Sequence, residues 1–239
     1  MVAAGMLAAP GTGRAEPPES DFGEIAARSE RIDVRGVPLW MNGSFRVGDD
    51  ATRGRVRRVA TGRSESRGGP DNTADVVRRG RVSFDVTGPA VGGALAGECR
   101  YDRGEVRTNL EALTISLPTV PLLYRCTFTR DGRPVGFMEL SAAPDRPGLV
   151  QRSLRRGRVE VGGTALDIES LHTIGARRVA TDLPVGYAFI LGDEAVGAID
   201  VNGATRRRLA LPRDAGQREA AMAAGLALAL FWDPGDTDD

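Results

Sequence analysis

Between residues 31 and 211, short runs of alternating apolar and polar residues are separated by turn-forming residues. A period of two places the apolar side chains on one face of a strand, and turns every 8–12 residues or so are typical of all-β domains. Asp131-Gly132 and Gly192-Asp193 lie between such runs and favour tight hairpins. The pattern predicts a single β-rich domain over residues 31–235.

Thirteen runs fit this description. They are Arg31–Trp40, Gly43–Val47, Val56–Thr61, Arg81–Thr87, Leu95–Tyr101, Leu113–Leu117, Leu122–Thr129, Val135–Ala142, Arg158–Val161, Ala165–Ile174, Tyr187–Leu191, Ala195–Asn202 and Arg207–Leu211. The segment 62–75, rich in Gly, Ser, Asn and charge, is predicted to be a long exposed loop.

Two of these hairpins resemble each other. Cys126–Ser141 aligns with Tyr187–Asn202 at a constant offset, so that Phe128 matches Phe189 and Val135-Gly136 matches Val196-Gly197. Other internal matches have different offsets, whereas a tandem duplication would give one. We interpret the match as a recurring hairpin solution, with a remote duplication as the alternative.

The pattern changes after residue 211. Asp214, with Gln217 three residues later, has the spacing of a helix N-cap, and residues 220–232 carry no charge. The sequence predicts a helix over Arg218–Trp232, in which Gly225 costs about 1 kcal/mol and marks a close contact.

This helix is too short to cross a membrane, because thirteen apolar residues rise about 20 Å against a bilayer core of about 30 Å. It is also apolar on every side, so it must be buried on every side. Leu226, Leu228, Leu230 and Trp232 are its predicted core contacts. The simplest fold is a closed or strongly curved antiparallel β-barrel packed around the helix; a β-sandwich with a C-terminal helix is the alternative.

The Tyr187–Asn202 hairpin followed by this helix resembles the end of tubby-like domains, LURP-one-related proteins and phospholipid scramblases. The resemblance covers the chain only from Tyr187 onward and rests on architecture, without a specific motif. It implies a barrel with the helix on its axis and, because those families include phosphoinositide binders and membrane-associated proteins, a contact with lipid. None of their lipid-binding residues is matched to a position here. The final Ala-Leu-Ala-Leu-Phe-Trp-Asp-Pro also resembles the end of uncharacterised exported bacterial proteins.

Export is also indicated at the N-terminus. Residues 2–9 resemble the end of a secretory h-region, although a basic n-region is missing. We expect residues 1–30 to be a leader or signal remnant, or disordered, and residues 236–239 to be an acidic tail. The predicted location is periplasmic or secreted, with the cytoplasm as the alternative. Two cysteines in an exported chain favour a disulfide between Cys99 and Cys126; two buried thiols are the alternative.

The net charge is zero, but it is unevenly distributed. Residues 46–81 hold ten Arg against five acidic residues. The candidate binding residues for an anionic lipid or a protein partner are Arg55, Arg57, Arg58, Arg78, Arg79 and Arg81. A solvated surface is the alternative, and nucleic acid is not expected because aromatic residues for base stacking are missing there.

Composition excludes several chemistries. All 32 basic residues are Arg, so neither a P-loop nor a pyridoxal Schiff base is available, and one His with two Cys is too few for ordinary zinc sites. No cofactor or metal is predicted. His172 is the weak candidate for a general base, but its strand register favours a buried packing role. The sequence thus favours a non-enzymatic exported domain that binds or supports a lipid, an envelope component or a protein partner. The alternative is a hydrolase that uses His172 with a carboxylate.

Overall fold

A computed structural model describes residues 20–39, 42–66, 73–110, 113–143, 153–174 and 179–231. The predictions for residues 1–19, Trp232 and the tail 236–239 fall outside these ranges.

Twelve antiparallel strands form a closed barrel. They are β1 (Glu30–Arg35), β2 (Asn42–Val47), β3 (Arg53–Ser66), β4 (Thr73–Gly88), β5 (Gly93–Leu110), β6 (Leu113–Arg130), β7 (Arg133–Ala142), β8 (Arg155–Val161), β9 (Thr164–Leu171), β12 (Gly186–Leu191), β13 (Glu194–Asp200) and β14 (Arg206–Leu211). Each strand pairs with its neighbours along the chain, and β14 pairs with β1 to close the ring, with Leu209 opposite Ile32. Two short strands, β10 (Thr173–Ile174) and β11 (Val179–Ala180), pair with each other between β9 and β12. The barrel prediction is confirmed, and the sandwich alternative is wrong.

The C-terminal helix, here α2, forms the core of this barrel. It spans Ala215–Leu230, and the carboxylate of Asp214 caps it by accepting from the Gln217 backbone N–H at 3.0 Å. Every residue from 220 to 230 is buried, including the predicted contacts Leu226, Leu228 and Leu230. Neither of the two α-helices in the described ranges has the length and apolarity needed to cross a membrane.

Side chains on two strands of the barrel donate hydrogen bonds to backbone carbonyls of this helix. On β6, the Tyr124 hydroxyl donates to the Ala227 carbonyl oxygen at 3.0 Å. On β3, Arg58 Nε donates to the Leu230 carbonyl oxygen at 2.9 Å. Burial raises the pKa of Tyr124 far above its usual value, so the hydroxyl keeps its proton and remains a donor.

Glycines on the inner wall make room for aromatic rings on the next strand. The residue pairs Phe45–Gly54, Phe84–Gly97 and Gly80–Tyr101 are register partners, and a methyl group at each glycine would overlap the facing ring. A strand glycine commonly marks such a close approach. Large rings therefore fill the space between wall and helix without forcing the strands apart.

The two hairpins that resemble each other share a register. Phe128 faces Gly136 and Phe189 faces Gly197, and in both hairpins the register shifts directly after the phenylalanine. A methyl group at Gly136 would overlap the Glu160 carbonyl oxygen, and one at Gly197 would overlap the Ala210 carbonyl oxygen. Both glycines therefore allow the backbone of the next strand to come close.

Strands β3 to β6 are much longer than the others and continue beyond one end of the barrel. β2 pairs with β3 only over Arg53–Arg57, and β7 pairs with β6 only over Leu123–Arg130. The remaining parts of the four strands pair with one another alone and form a projection, here called the arm. The loop prediction is wrong for residues 62–66 and 73–75, because β3 runs to Ser66 and β4 starts at Thr73; residues 67–72 lie outside the described ranges. Pairing of β3 with β4, and of β4 with β5, overrides the weak β-propensity of these residues.

A short helix lies against the outside of the barrel. Helix α1 (Ser20–Ala27) packs Phe22, Ile25 and Ala26 against a row of small residues. That row consists of Ala188, Ala198 and Ala210, which are direct register partners on β12, β13 and β14. The expectation that residues 1–30 lie outside the folded domain is therefore wrong for residues 20–30. The alanines leave a flat apolar strip, and covering it removes that strip from water.

Candidate functional site

The alternation of β3 sorts the predicted binding arginines onto two faces. Arg55 and Arg57 are exposed on the outer wall, whereas Gly54, Val56 and Arg58 are buried and face inward. On β4, Arg79 and Arg81 are exposed by the same alternation. Four of the six predicted residues therefore share the outer wall.

Arg58 and Arg78 do not belong to that surface. Arg58 is 5% exposed and donates to two backbone carbonyls, those of Leu230 and Pro38. Burial lowers the pKa of its guanidinium from the usual value. Arg78 is half-buried and has Gly62 and Arg103 as its register partners on the inner side of the arm. The prediction that these two residues join a surface site is wrong, because strand alternation directs them away from it.

A transverse row of three arginines crosses the outer wall. Arg81 on β4 lies directly opposite Arg100 on β5, which lies directly opposite Arg125 on β6. All three side chains are exposed. Like charges placed directly opposite each other on a sheet destabilise it by roughly 0.2–1 kcal/mol per pair. The row therefore costs stability, and it ends where Arg125 Nε pairs with Glu139 on β7 at 2.7 Å.

This row belongs to a larger basic surface, here called the arginine face. On the outer wall of β2 to β6 its exposed members are Arg46, Arg53, Arg55, Arg57, Arg79, Arg81, Arg100 and Arg125, interspersed with Asp85, Glu98 and Asp102. Three of these arginines have acidic partners: Arg46 pairs with Asp50, Arg79 with Asp102 and Arg125 with Glu139. On β8 and β9, Arg156 and Arg158 pair with Glu169 and Asp167 at 3.3 and 3.5 Å. The arginines of the arginine face still outnumber the acidic residues among and beside them.

The arginine face also has concave places. A depression of about 750 Å³ is lined by Arg46, Arg53 and Arg55 together with Arg35 of β1, and Asp85 is its acidic member. Arg46 is paired with Asp50 at 3.1 Å at its rim. Planar guanidinium groups around a depression match the geometry of phosphate and carboxylate oxygens.

The cysteines explain why Arg100 and Arg125 are opposite each other. Cys99 and Cys126 are register partners, and their Sγ atoms lie at disulfide-bonding distance. In an antiparallel pair, the residue after one cysteine faces the residue before the other. Sequence reasoning missed Arg100 and Arg125, although a disulfide between directly opposed cysteines would have placed them together.

His172 is held in the wall of the barrel, 5% exposed. Its Nε2 atom lies 2.9 Å from Ser170 Oγ, and its Nδ1 atom lies 3.1 Å from the Thr181 carbonyl oxygen. Ser170 Oγ also accepts from the Arg155 backbone N–H at 2.9 Å. The imidazole of His172 therefore links Ser170 of β9 to Thr181, which follows β11, and Ser170 in turn contacts β8. These contacts agree with a packing role for His172.

Comparison of the chain with protein-family models, with curated proteins and with solved structures gives no match. The ligand of the protein is therefore inferred below from the charge and shape of its surface.

Proposed function

We propose that the protein is a non-enzymatic, exported binding domain whose arginine face contacts the phosphate-bearing headgroups of an anionic lipid surface. The observation that carries the proposal is the row Arg81–Arg100–Arg125. Without a ligand, Arg81 and Arg100 repel each other across the strand pair, and an anionic surface offsets this repulsion. On β8 and β9, by contrast, Arg156 and Arg158 each have an acidic partner on the neighbouring strand.

The shape of the arginine face supports a membrane rather than a deep-bound ligand. The depression at Arg46, Arg53 and Arg55 is open and lies on the wall of the barrel, so a headgroup reaches it without entering the core. Each basic residue near an anionic membrane contributes about 1 kcal/mol of attraction. Several weak contacts of this kind give reversible binding that salt suppresses.

Two further features favour export and a lipid partner. The Cys99–Cys126 pair at bonding distance suits an oxidising compartment, the periplasm or the cell exterior. The resemblance to tubby-like, LURP-one-related and scramblase barrels also favours a lipid partner, because those families include phosphoinositide binders and membrane-associated proteins.

The alternative hydrolase draws less support from the same contacts. The carboxylates of Asp167 and Glu169 are on the outer face of β9, on the opposite side from His172. Conversion of His172 to Ala tests this alternative. If an esterase and glycosidase screen of the natural chain detects an activity that His172→Ala removes while the barrel stays folded, the enzyme interpretation replaces the binding interpretation.

The lipid proposal is tested by sedimentation with two kinds of vesicle. One kind is phosphatidylcholine alone, and the other, the anionic vesicle, is two parts phosphatidylcholine to one part phosphatidylglycerol. We expect binding to the anionic vesicles only, falling steeply as NaCl rises from roughly 50 to 300 mM, since the Debye length shrinks over this range. Equal binding to both vesicles, or no binding to either, would overturn the proposal and leave a protein partner or an envelope polymer as the ligand.

A further inference from the structure

The outer face of the arm carries a group of apolar side chains on β5 and β6. Leu117 and Val120 are 62 and 48% exposed. Val106, directly opposite Leu117, and Leu123, three residues after Val120, are half-buried. These four residues are here called the apolar patch. An exposed group of this kind commonly marks a surface that binds another body.

The strand register places the apolar patch on the same wall as the arginine row. Each member of the patch is an even-numbered residue of β5 or directly faces one. β5 pairs with β4 without a shift, and its even-numbered residues face outward, as the exposed Arg100 and Asp102 show. The β5–β6 register shifts on both sides of Gly104, which keeps Val120 and Leu117 on one face although they are three residues apart. A surface that contacts the arginine row therefore has the apolar patch beside it.

The strand that carries the two exposed members of the patch is uncharged in this part. Residues 113–124 of β6 contain no acidic or basic residue. The acidic residues of the arm's outer face lie on the other strands and are Glu65, Asp75 and Asp102. The first of them pairs with Arg63, and the last pairs with Arg79 at 2.9 Å. Moving β6 towards a bilayer therefore desolvates no charge on this strand.

The edge of β6 also suits a surface of low dielectric constant. β7 pairs with β6 only from Leu123 onward, so in the described ranges the edge of β6 before Leu123 has no neighbouring strand. Unpaired backbone N–H groups are costly in contact with hydrocarbon. Pro118 and Pro121 have no N–H, so neither leaves a donor unpaired. Because the other residues of this edge keep their N–H groups, the strand fits the interfacial layer and not the bilayer core.

We propose that the apolar patch inserts into the interfacial layer of the same anionic membrane that the arginine face contacts, with Leu117 and Val120 as its leading side chains. This inference rests on the proposed lipid function and adds to it a contribution that salt does not screen. Interfacial binding combines buried apolar area with electrostatic attraction to anionic lipids. The arginines bring the wall to the membrane, and the apolar side chains slow its release.

A fluorescent label tests insertion separately from binding. Leu117→Cys is labelled with nitrobenzoxadiazole without reductant, so that Cys99 and Cys126 stay paired, and mass spectrometry verifies one label per chain. On the anionic vesicles we expect the emission to rise at least about twofold and to shift to shorter wavelength, because the label leaves water. Leu191→Cys is the matched control, since Leu191 is 43% exposed in the β12–β13 hairpin, outside the arginine face. Its label should not respond.

Leu117→Ser/Val120→Ser measures what the patch contributes to affinity. We expect about tenfold weaker binding to the anionic vesicles, from the loss of buried apolar area. The dependence of binding on NaCl should stay unchanged, because salt does not screen apolar burial. Leu183→Ser/Leu191→Ser is the matched variant, because it removes two exposed leucines outside the arm and should bind like the natural chain.

The sedimentation assay separates failure of this inference from failure of the lipid proposal. If labelled Leu117→Cys sediments with the anionic vesicles without a change in emission, insertion is refuted and the lipid proposal stands. Insertion is also refuted if the Leu117→Ser/Val120→Ser variant binds like the natural chain. An equal change in emission at high protein concentration without vesicles would assign the patch to a second copy of the chain and overturn the proposal. If the natural chain does not sediment with the anionic vesicles, both proposals are wrong.

Discussion

Leu209 on β14 packs against the helix at Gly225, and a methyl group added to that glycine would overlap Leu209 Cδ2. Both residues are buried, so neither neighbour has open space to move into. Gly225→Ala gains about 1 kcal/mol of helix propensity but overpacks the core, which typically costs about 1–3 kcal/mol. We expect a net loss in the free energy of unfolding, measured by urea denaturation.

The matched control for this substitution is Gly62→Ala. Gly62 lies in β3 within the arm, and a methyl group there would meet nothing within 4 Å. Alanine should be neutral or slightly stabilising at that position, because glycine weakens strands. If Gly225→Ala proved as well tolerated as Gly62→Ala, the close approach of wall and helix would be refuted.

Leu226→Asp tests the central position of the helix. The side chain of Leu226 is fully buried, and a carboxylate there would lack water. Losses of this kind exceed about 4 kcal/mol, a large share of the stability of an ordinary domain. We expect no cooperative unfolding transition by circular dichroism.

Leu117→Asp is the corresponding surface change, since Leu117 is 62% exposed on the arm. This variant should unfold within about 0.5 kcal/mol of the natural chain. A folded, monomeric Leu226→Asp protein would show that the helix is peripheral.

The bond between Cys99 and Cys126 is tested by thiol titration of the unfolded, unreduced chain. We expect no free thiol, and two thiols per chain would contradict the assignment. The bond joins residues 27 positions apart, at the base of the β5–β6 part of the arm. Replacing both cysteines by Ala should lower the free energy of unfolding by roughly 3–4 kcal/mol in the chain-entropy model.

The fold was predictable from two sequence features with few competing explanations. Strict alternation of apolar and polar residues fixes which side of a strand faces inward, and a helix without any charge must be enclosed. The length of β3 and β4 was not predictable, because the outer part of β3 is held by pairing with β4, and that of β4 by pairing with β3 and β5, and not by their own composition. Helix α1 was missed since the alanines that receive it, Ala188, Ala198 and Ala210, become a strip only when three strands align.

Strand register decides which residues of the candidate site lie next to each other, and the sequence alone does not reveal that register. Arg55, Arg57, Arg79 and Arg81 could be found from local charge density alone. Arg100 and Arg125 could not, because their proximity is a consequence of strand pairing across the Cys99–Cys126 bond.

The row of arginines is the central functional claim, and Arg81→Gln/Arg100→Gln tests it most directly. The matched variant is Arg156→Gln/Arg158→Gln, which removes the same charge from the paired side of the barrel. On the anionic vesicles, the first variant should bind about 30-fold more weakly than the natural chain, from about 1 kcal/mol per arginine. Its stability without lipid should stay equal or rise, because a repulsive pair is removed.

The matched variant should bind within about threefold of the natural chain, since its arginines are neutralised by their partners. Equal losses of vesicle binding in the two variants would contradict a specific lipid surface at Arg81 and Arg100.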